Sequence, residues 1–213
     1  MESGAITCTP MKLEIIDNHS VALDLLTKGP VLDAGCRGFR FSEYFAKLGH
    51  TVVMMDPSPD TVVPTKFQDF PAPKYFFPQA LVAPDAPRSA SLRMTDDAEA
   101  RHVVYQGIAG DPAIRCMSIN EVMDQSSVKQ WDLVKLNIEG SEYGILRQWP
   151  GPIARQVVVS FHEHTNRRMG DTAIQEIMDH LAKWYVPIRH EFDERYCAGR
   201  NAWDSVVCLR ELA

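Results

Sequence analysis

No stretch of this chain approaches the roughly 18 consecutive apolar residues of a membrane-spanning helix. The first ten residues also lack the basic start and apolar run of a secretory signal. Excess positive charge is missing: 22 lysines and arginines stand against 28 acids, a net charge of −6, which argues against a protein that tracks nucleic-acid phosphates. The five cysteines, Cys8, Cys36, Cys116, Cys197 and Cys208, contain no C-x-x-C pair. Neither a disulfide scaffold nor a zinc site of familiar spacing is expected from them, and a reducing compartment suits them better. No internal repeat, low-complexity tract or linker divides the 213 residues. The expectation is one soluble, cytoplasmic domain over 1–213. Its 45% hydrophobic residues suffice for a sizeable core.

The apolar pattern reads as alternating strands and helices. A short helix is expected over 11–28, strands over 31–34 and 51–56 with a helix between them, and a third strand over 74–82. Further on, helices are expected over 118–125, 141–149 and 171–185, and strands over 131–138, 156–161, 188–192 and 205–209. Such alternation implies a parallel sheet. The last two strands follow each other without a helix, so one should run antiparallel. Residues 83–115 are polar and proline-containing. They read as a lid-like insertion beside a functional site or as a small hairpin on the sheet edge.

The most informative segment is Val31-Leu32-Asp33-Ala34-Gly35-Cys36-Arg37-Gly38, a buried strand running into a glycine turn. The next strand ends on an acid, Asp56. A glycine turn before a helix allows close backbone approach, and an acid about 20 residues on suits ribose hydroxyls. A nicotinamide fingerprint would begin with glycine, where this chain carries the carboxylate Asp33. That carboxylate suits a cofactor with an ammonium group, which S-adenosylmethionine has at its methionine end. The segment resembles motif I of class I methyltransferases.

A second segment, Val134-Lys135-Leu136-Asn137-Ile138-Glu139-Gly140-Ser141-Glu142, places three polar side chains at alternate positions of an expected strand. Such a strand is either solvated on an edge or central and lined by a cleft. With motif I, Asp56, Gln79-Ala80-Leu81 and Phe161-His162-Glu163-His164, this segment resembles the FkbM family of methyltransferases over about 30–165. That family shows K-x-D-x-E-G-x-E here; Asn137 stands in place of its usual Asp, removing one charge. The resemblance implies a Rossmann-like class I methyltransferase fold: a mostly parallel seven-stranded sheet, an antiparallel strand near the C-terminus, and helices on both faces.

It also implies roles. Asp33, Gly35, Cys36, Gly38, Asp56, Gln79, Ala80 and Asn137 are the candidate cofactor-binding residues, with Asp33 toward the methionine ammonium, Asp56 on the ribose and Gln79 and Ala80 near adenine. His162, His164 and Glu139 are the candidate catalytic residues, a histidine being a natural base for a hydroxyl at neutral pH. A divalent metal held by His162, His164, Glu139 and Asn137 is a competing use of the same side chains. The expected reaction is O-methylation of a hydroxyl on a small molecule or sugar. A nucleic-acid methyltransferase using Arg88, Arg93 and Arg101, and a non-catalytic cofactor-binding module, are the alternatives.

Overall fold

The computed structural model describes residues 13–95, 101–107, 109–162, 170–190 and 202–209. The described residues open with strands β1 (Glu14–Ile16) and β2 (His19–Val21), followed by a 3-10 turn at Leu23–Leu25. This replaces the helix expected over 11–28. Asp17 and Asn18 both adopt left-handed backbone (φ 47° and 63°), the geometry of a two-residue hairpin turn. That local preference overrides the helical spacing of Leu13, Ile16, Leu23 and Leu26.

Strand β3 (Val31–Ala34), helix α1 (Arg40–Lys47), β4 (Val52–Met55) and β5 (Lys74–Phe77) follow. The single strand expected over 74–82 is broken after Phe77 by Pro78, which has no N–H for a ladder. Ala80–Leu81 becomes β6 of a separate small sheet. That sheet also holds β7 (Ser89–Arg93), β8 (His102–Val104) and β9 (Ala113–Met117), in the order β6-β9-β7-β8. The described residues of the 83–115 insertion therefore form an appendage in which β7 pairs antiparallel with both β8 and β9.

The main line resumes with α2 (Ile119–Ser126), started by a capping box in which Ser118 and Glu121 exchange side-chain-to-backbone bonds. Next come β10 (Trp131–Leu136), α3 (Glu142–Arg147), β11 (Ala154–His162), α4 (Gly170–Leu181), β12 (Tyr185–His190) and β13 (Ala202–Leu209). The large sheet has the order β12-β13-β11-β10-β3-β4-β5. Neighbours from β11 to β5 run parallel, and β13 runs antiparallel to both β11 and β12. β10 is central and wholly buried, not an edge.

Alternate strand residues divide the interior in two, as a period of two requires. Leu32, Val53, Val134 and Val157 pack with α2, α3 and α4, whereas Val31, Val52, Leu133 and Val158 pack with α1 and the N-terminal hairpin. The α1 side carries buried polar ties as well. The Gln156 side-chain amide both donates to and accepts from the Ala22 backbone, and His19 Nε2 lies 3.2 Å from Ser160 Oγ.

Burial, assisted by the nearby Lys135 charge, pushes the His19 pKa down to about 3 from 6.5. Unfolding restores the ordinary value, so below pH 6.5 the unfolded chain binds a proton that the folded chain refuses. Stability therefore falls as pH drops from 6.5 toward 3, and the contribution vanishes above 6.5. Relative to a His19→Gln variant, the protein should lose about 1.4 kcal/mol of unfolding free energy per pH unit across that window. Urea titrations at pH 7, 6 and 5 measure this; parallel curves for the two proteins would rule it out.

Candidate cofactor and acceptor site

Because β3, β4, β5, β10 and β11 are parallel, their carboxyl ends bring five sequence-distant loops to one rim. Strand order reverses between β3 and β10, and ligands of open α/β sheets bind at such a switch point. Gly35 sits there with φ +78°, and a Cβ on it would lie 1.8 Å from the Asn137 carbonyl oxygen. Glycine is thus required for the loops after β3 and β10 to touch. Gly38, at φ +81°, instead borders open space. The backbone N–H groups of Gly35 and Cys36 both donate to the Met55 carbonyl. The Cys36 side chain is packed in the α1-side core, where burial first, then the charges of Asp33 and Asp56, push its thiol pKa well up.

Asp33 is directly opposite Lys135 in the parallel β3–β10 register. Its Oδ1 accepts from Lys135 Nζ at 2.9 Å and its Oδ2 from Ser42 Oγ at 2.6 Å. Lys135 Nζ also donates to the Gly35 carbonyl at 2.8 Å and lies 5.8 Å from the Phe41 ring centroid. The alternation expected to carry Lys135, Asn137 and Glu139 along one face stops at Leu136, where β10 ends. Glu139 is reached through left-handed backbone (φ 53°) followed by Gly140.

Asp56, buried at the end of β4, accepts from Ser58 N (2.8 Å) and Thr61 Oγ1 (2.9 Å), both on Oδ1. Gln79 follows β5, and its Oε1 is buried with no hydrogen-bond partner. Ala80 is buried in β6. Beside them, Asp60 is shared by two arginines: Arg101 Nη1 at 2.7 Å, from the insertion, and Arg37 Nη2 at 3.3 Å, from the β3 turn.

At the end of β11, His162 lies between two carboxylates. Its Nε2 is 3.1 Å from Glu139 Oε1 and its Nδ1 is 3.0 Å from Glu142 Oε1. Glu142, fully buried, also accepts from the backbone N–H of His162 (2.9 Å) and of Gly140 (2.8 Å). It thus fixes both the imidazole plane and the turn that presents Glu139. As the first residue of α3 it reads in sequence as an ordinary dipole-stabilising acid; only its place in the K-x-D-x-E-G-x-E pattern marks it out. His164 lies outside the described residues. Among the described residues, no group of three or more His, Cys, Asp or Glu is arranged to hold a metal.

Glu139 opens onto a cleft of about 350 Å³ between α3 and the insertion. Asp85, His102, Val103 and Tyr105 line it from the insertion side, and Ser141, Tyr143, Arg147 and Gln148 from the α3 side. Three of the four insertion arginines face acids within the protein: Arg88 pairs with Glu121, Arg93 with Asp111 and Arg101 with Asp60.

A mostly parallel sheet with an acid closing its second central strand and a glycine turn at the switch point has the layout of a nucleoside-cofactor enzyme. Residues 35–193 match the methyltransferase FkbM domain, and the chain belongs to that family of S-adenosylmethionine-dependent methyltransferases. Among solved structures, Burkholderia thailandensis 1,6-didemethyltoxoflavin-N1-methyltransferase, crystallised with 1,6-didemethyltoxoflavin and S-adenosylhomocysteine, is similar at 15% identity and a TM-score of 0.43. That similarity spans 84% of this chain and 70% of the other, and at such a TM-score it assigns no residue here. Comparison with curated protein sequences found no match. No helix among the described residues is long and apolar enough to cross a membrane.

Proposed function

We propose that this chain methylates a hydroxyl oxygen of a polar small molecule or sugar, with Asp56, Gln79, Ala80 and the turn Gly35-Cys36-Arg37-Gly38 holding the cofactor and His162 with Glu139 acting on the acceptor. The observation that carries this reading is the His162–Glu139 contact at 3.1 Å beside a cleft of about 350 Å³. That volume lies within the roughly 300–1,000 Å³ usual for small-molecule sites.

The residues at the rim fit S-adenosylmethionine. Gln79 Oε1 is a buried acceptor without a donor, which an adenine amino group would satisfy. The Asp56 carboxylate collects its two protein hydrogen bonds on Oδ1, and Oδ2 would serve the ribose. The open space beyond Gly38 would admit the methionine end. When bound, the cofactor supplies an electrophilic methyl group on a sulfonium. This chain's own task is to align the acceptor and accept its proton. Glu142 locks the His162 ring through Nδ1, which leaves Nε2 on the Glu139 and cleft side. Asn137, whose backbone touches Gly35, contributes no charge; proton acceptance falls to His162 and Glu139, and His164 joins them in this reading.

Arg88, Arg93 and Arg101, each paired with an acid, are poorly disposed to track phosphates, which favours a small acceptor over nucleic acid. The reading is tested by calorimetry with S-adenosylhomocysteine and by label transfer from methyl-labelled cofactor to panels of hydroxylated metabolites, monosaccharides and oligonucleotides. Labelled hydroxyl compounds are expected. Labelled oligonucleotides alone would overturn the acceptor class, and tight cofactor binding with no transfer to any panel would favour a binding module.

A further inference from the structure

We propose that Lys135 is a positioning residue of the cofactor site, holding the Gly35 turn by its carbonyl and balancing Asp33, so that Asp33 acts on the cofactor through Lys135 and the turn and not by contact with the methionine ammonium. The inference rests on reading the carboxyl rim as the S-adenosylmethionine site.

Three observations carry it. Lys135 and Asp33 are register partners on the two central strands, with side chains only 3% and 1% exposed. A carboxylate has lone pairs for more than two donors, but at that exposure a further ammonium cannot reach it. Each Asp33 oxygen already accepts from Lys135 or Ser42. The third observation is the Lys135 bond to the Gly35 carbonyl at 2.8 Å. Gly35 fits so closely against the Asn137 carbonyl that a single added carbon would collide with it. A shift of the turn therefore shifts the loop after β10 as well. By gripping the Gly35 carbonyl from below, Lys135 sets both loops of the switch point, and without it that carbonyl loses its donor.

Direct contact and positioning give opposite orders of effect. If Asp33 met the ammonium itself, Lys135→Met would free it, and affinity would hold or rise, while Asp33→Asn would be the damaging change. If Lys135 positions the turn, Lys135→Met is the more damaging, because Asn at position 33 still offers an oxygen to the lysine. The experiment is calorimetry of the full chain with S-adenosylhomocysteine, each variant held well below its own thermal midpoint.

Lys135→Met should bind about tenfold more weakly than wild type, or worse, and more weakly than Asp33→Asn. Lys135→Met leaves a buried carboxylate uncompensated and is at risk of unfolding, so the double variant Asp33→Asn/Lys135→Met, which buries no charge, is measured beside Asp33→Asn. The double variant should recover thermal stability yet bind about tenfold more weakly than Asp33→Asn. Equal affinity of those two variants, or Lys135→Met binding as tightly as wild type, would overturn the proposal. Wild type failing to bind S-adenosylhomocysteine would instead sink the cofactor site.

Discussion

Replacing Asp56 with alanine should weaken binding of S-adenosylhomocysteine by roughly 10²-fold or more. A ribose diol gives one carboxylate two charge-assisted hydrogen bonds, each worth about 1.5–3 kcal/mol, and an alanine side chain offers no acceptor in their place. Part of the loss would come from the turn, since Asp56 Oδ1 also holds Ser58 N and Thr61 Oγ1. Asp56→Asn separates the two contributions. Its amide oxygen still accepts from Ser58 and Thr61, so the turn stays in place and only the charge is lost. The asparagine variant should therefore lie between wild type and alanine in calorimetric affinity, with a thermal midpoint close to wild type. Alanine and wild type binding equally, both folded, would remove Asp56 from the site.

His162→Ala should lower kcat by about 10²–10⁴-fold on an acceptor found by label transfer, the usual contribution of a general base. Affinity for S-adenosylhomocysteine should be nearly unchanged, because the ring lies on the Glu139 side of the rim and not between Asp56 and Gln79. The variant is a fair test of chemistry. The backbone N–H of residue 162 still donates to Glu142, and Glu142 still holds Gly140 N, so the buried carboxylate keeps two of its donors. Glu142→Gln should give a smaller loss in kcat, since the amide oxygen still accepts from Nδ1 while its charge is gone. Normal turnover by His162→Ala would make the histidine a structural clasp between α3 and β11.

The parts of the fold that are legible in sequence are those dictated by local chemistry. Val52–Met55 is apolar on both faces because both faces are covered, and Ser118 with Glu121 writes a helix start into four residues. Where two local signals compete, periodicity alone misleads. The Asp17-Asn18 turn converts an apparent helix into a hairpin, and Pro78 sends 80–81 to another sheet. Asp56, Glu139 and His162 are findable as polar residues at the ends of apolar strands, a placement that strand length and turn residues set by themselves.

Contacts between distant segments are of another kind. Sequence by itself determined the order of elements over 31–77 and 118–181, the acid after the second strand of the βαβ unit and the polar character of 135–142, since each depends on neighbours within a few residues. Only the tertiary structure decided that Lys135 faces Asp33, that Glu142 and Glu139 bracket His162, and that the insertion forms one wall of the cleft. The physical reason is register. Which residue of β10 stands opposite which residue of β3, about a hundred positions away, depends on how the whole sheet packs its two faces. A slip of one residue would turn Lys135 into the opposite core.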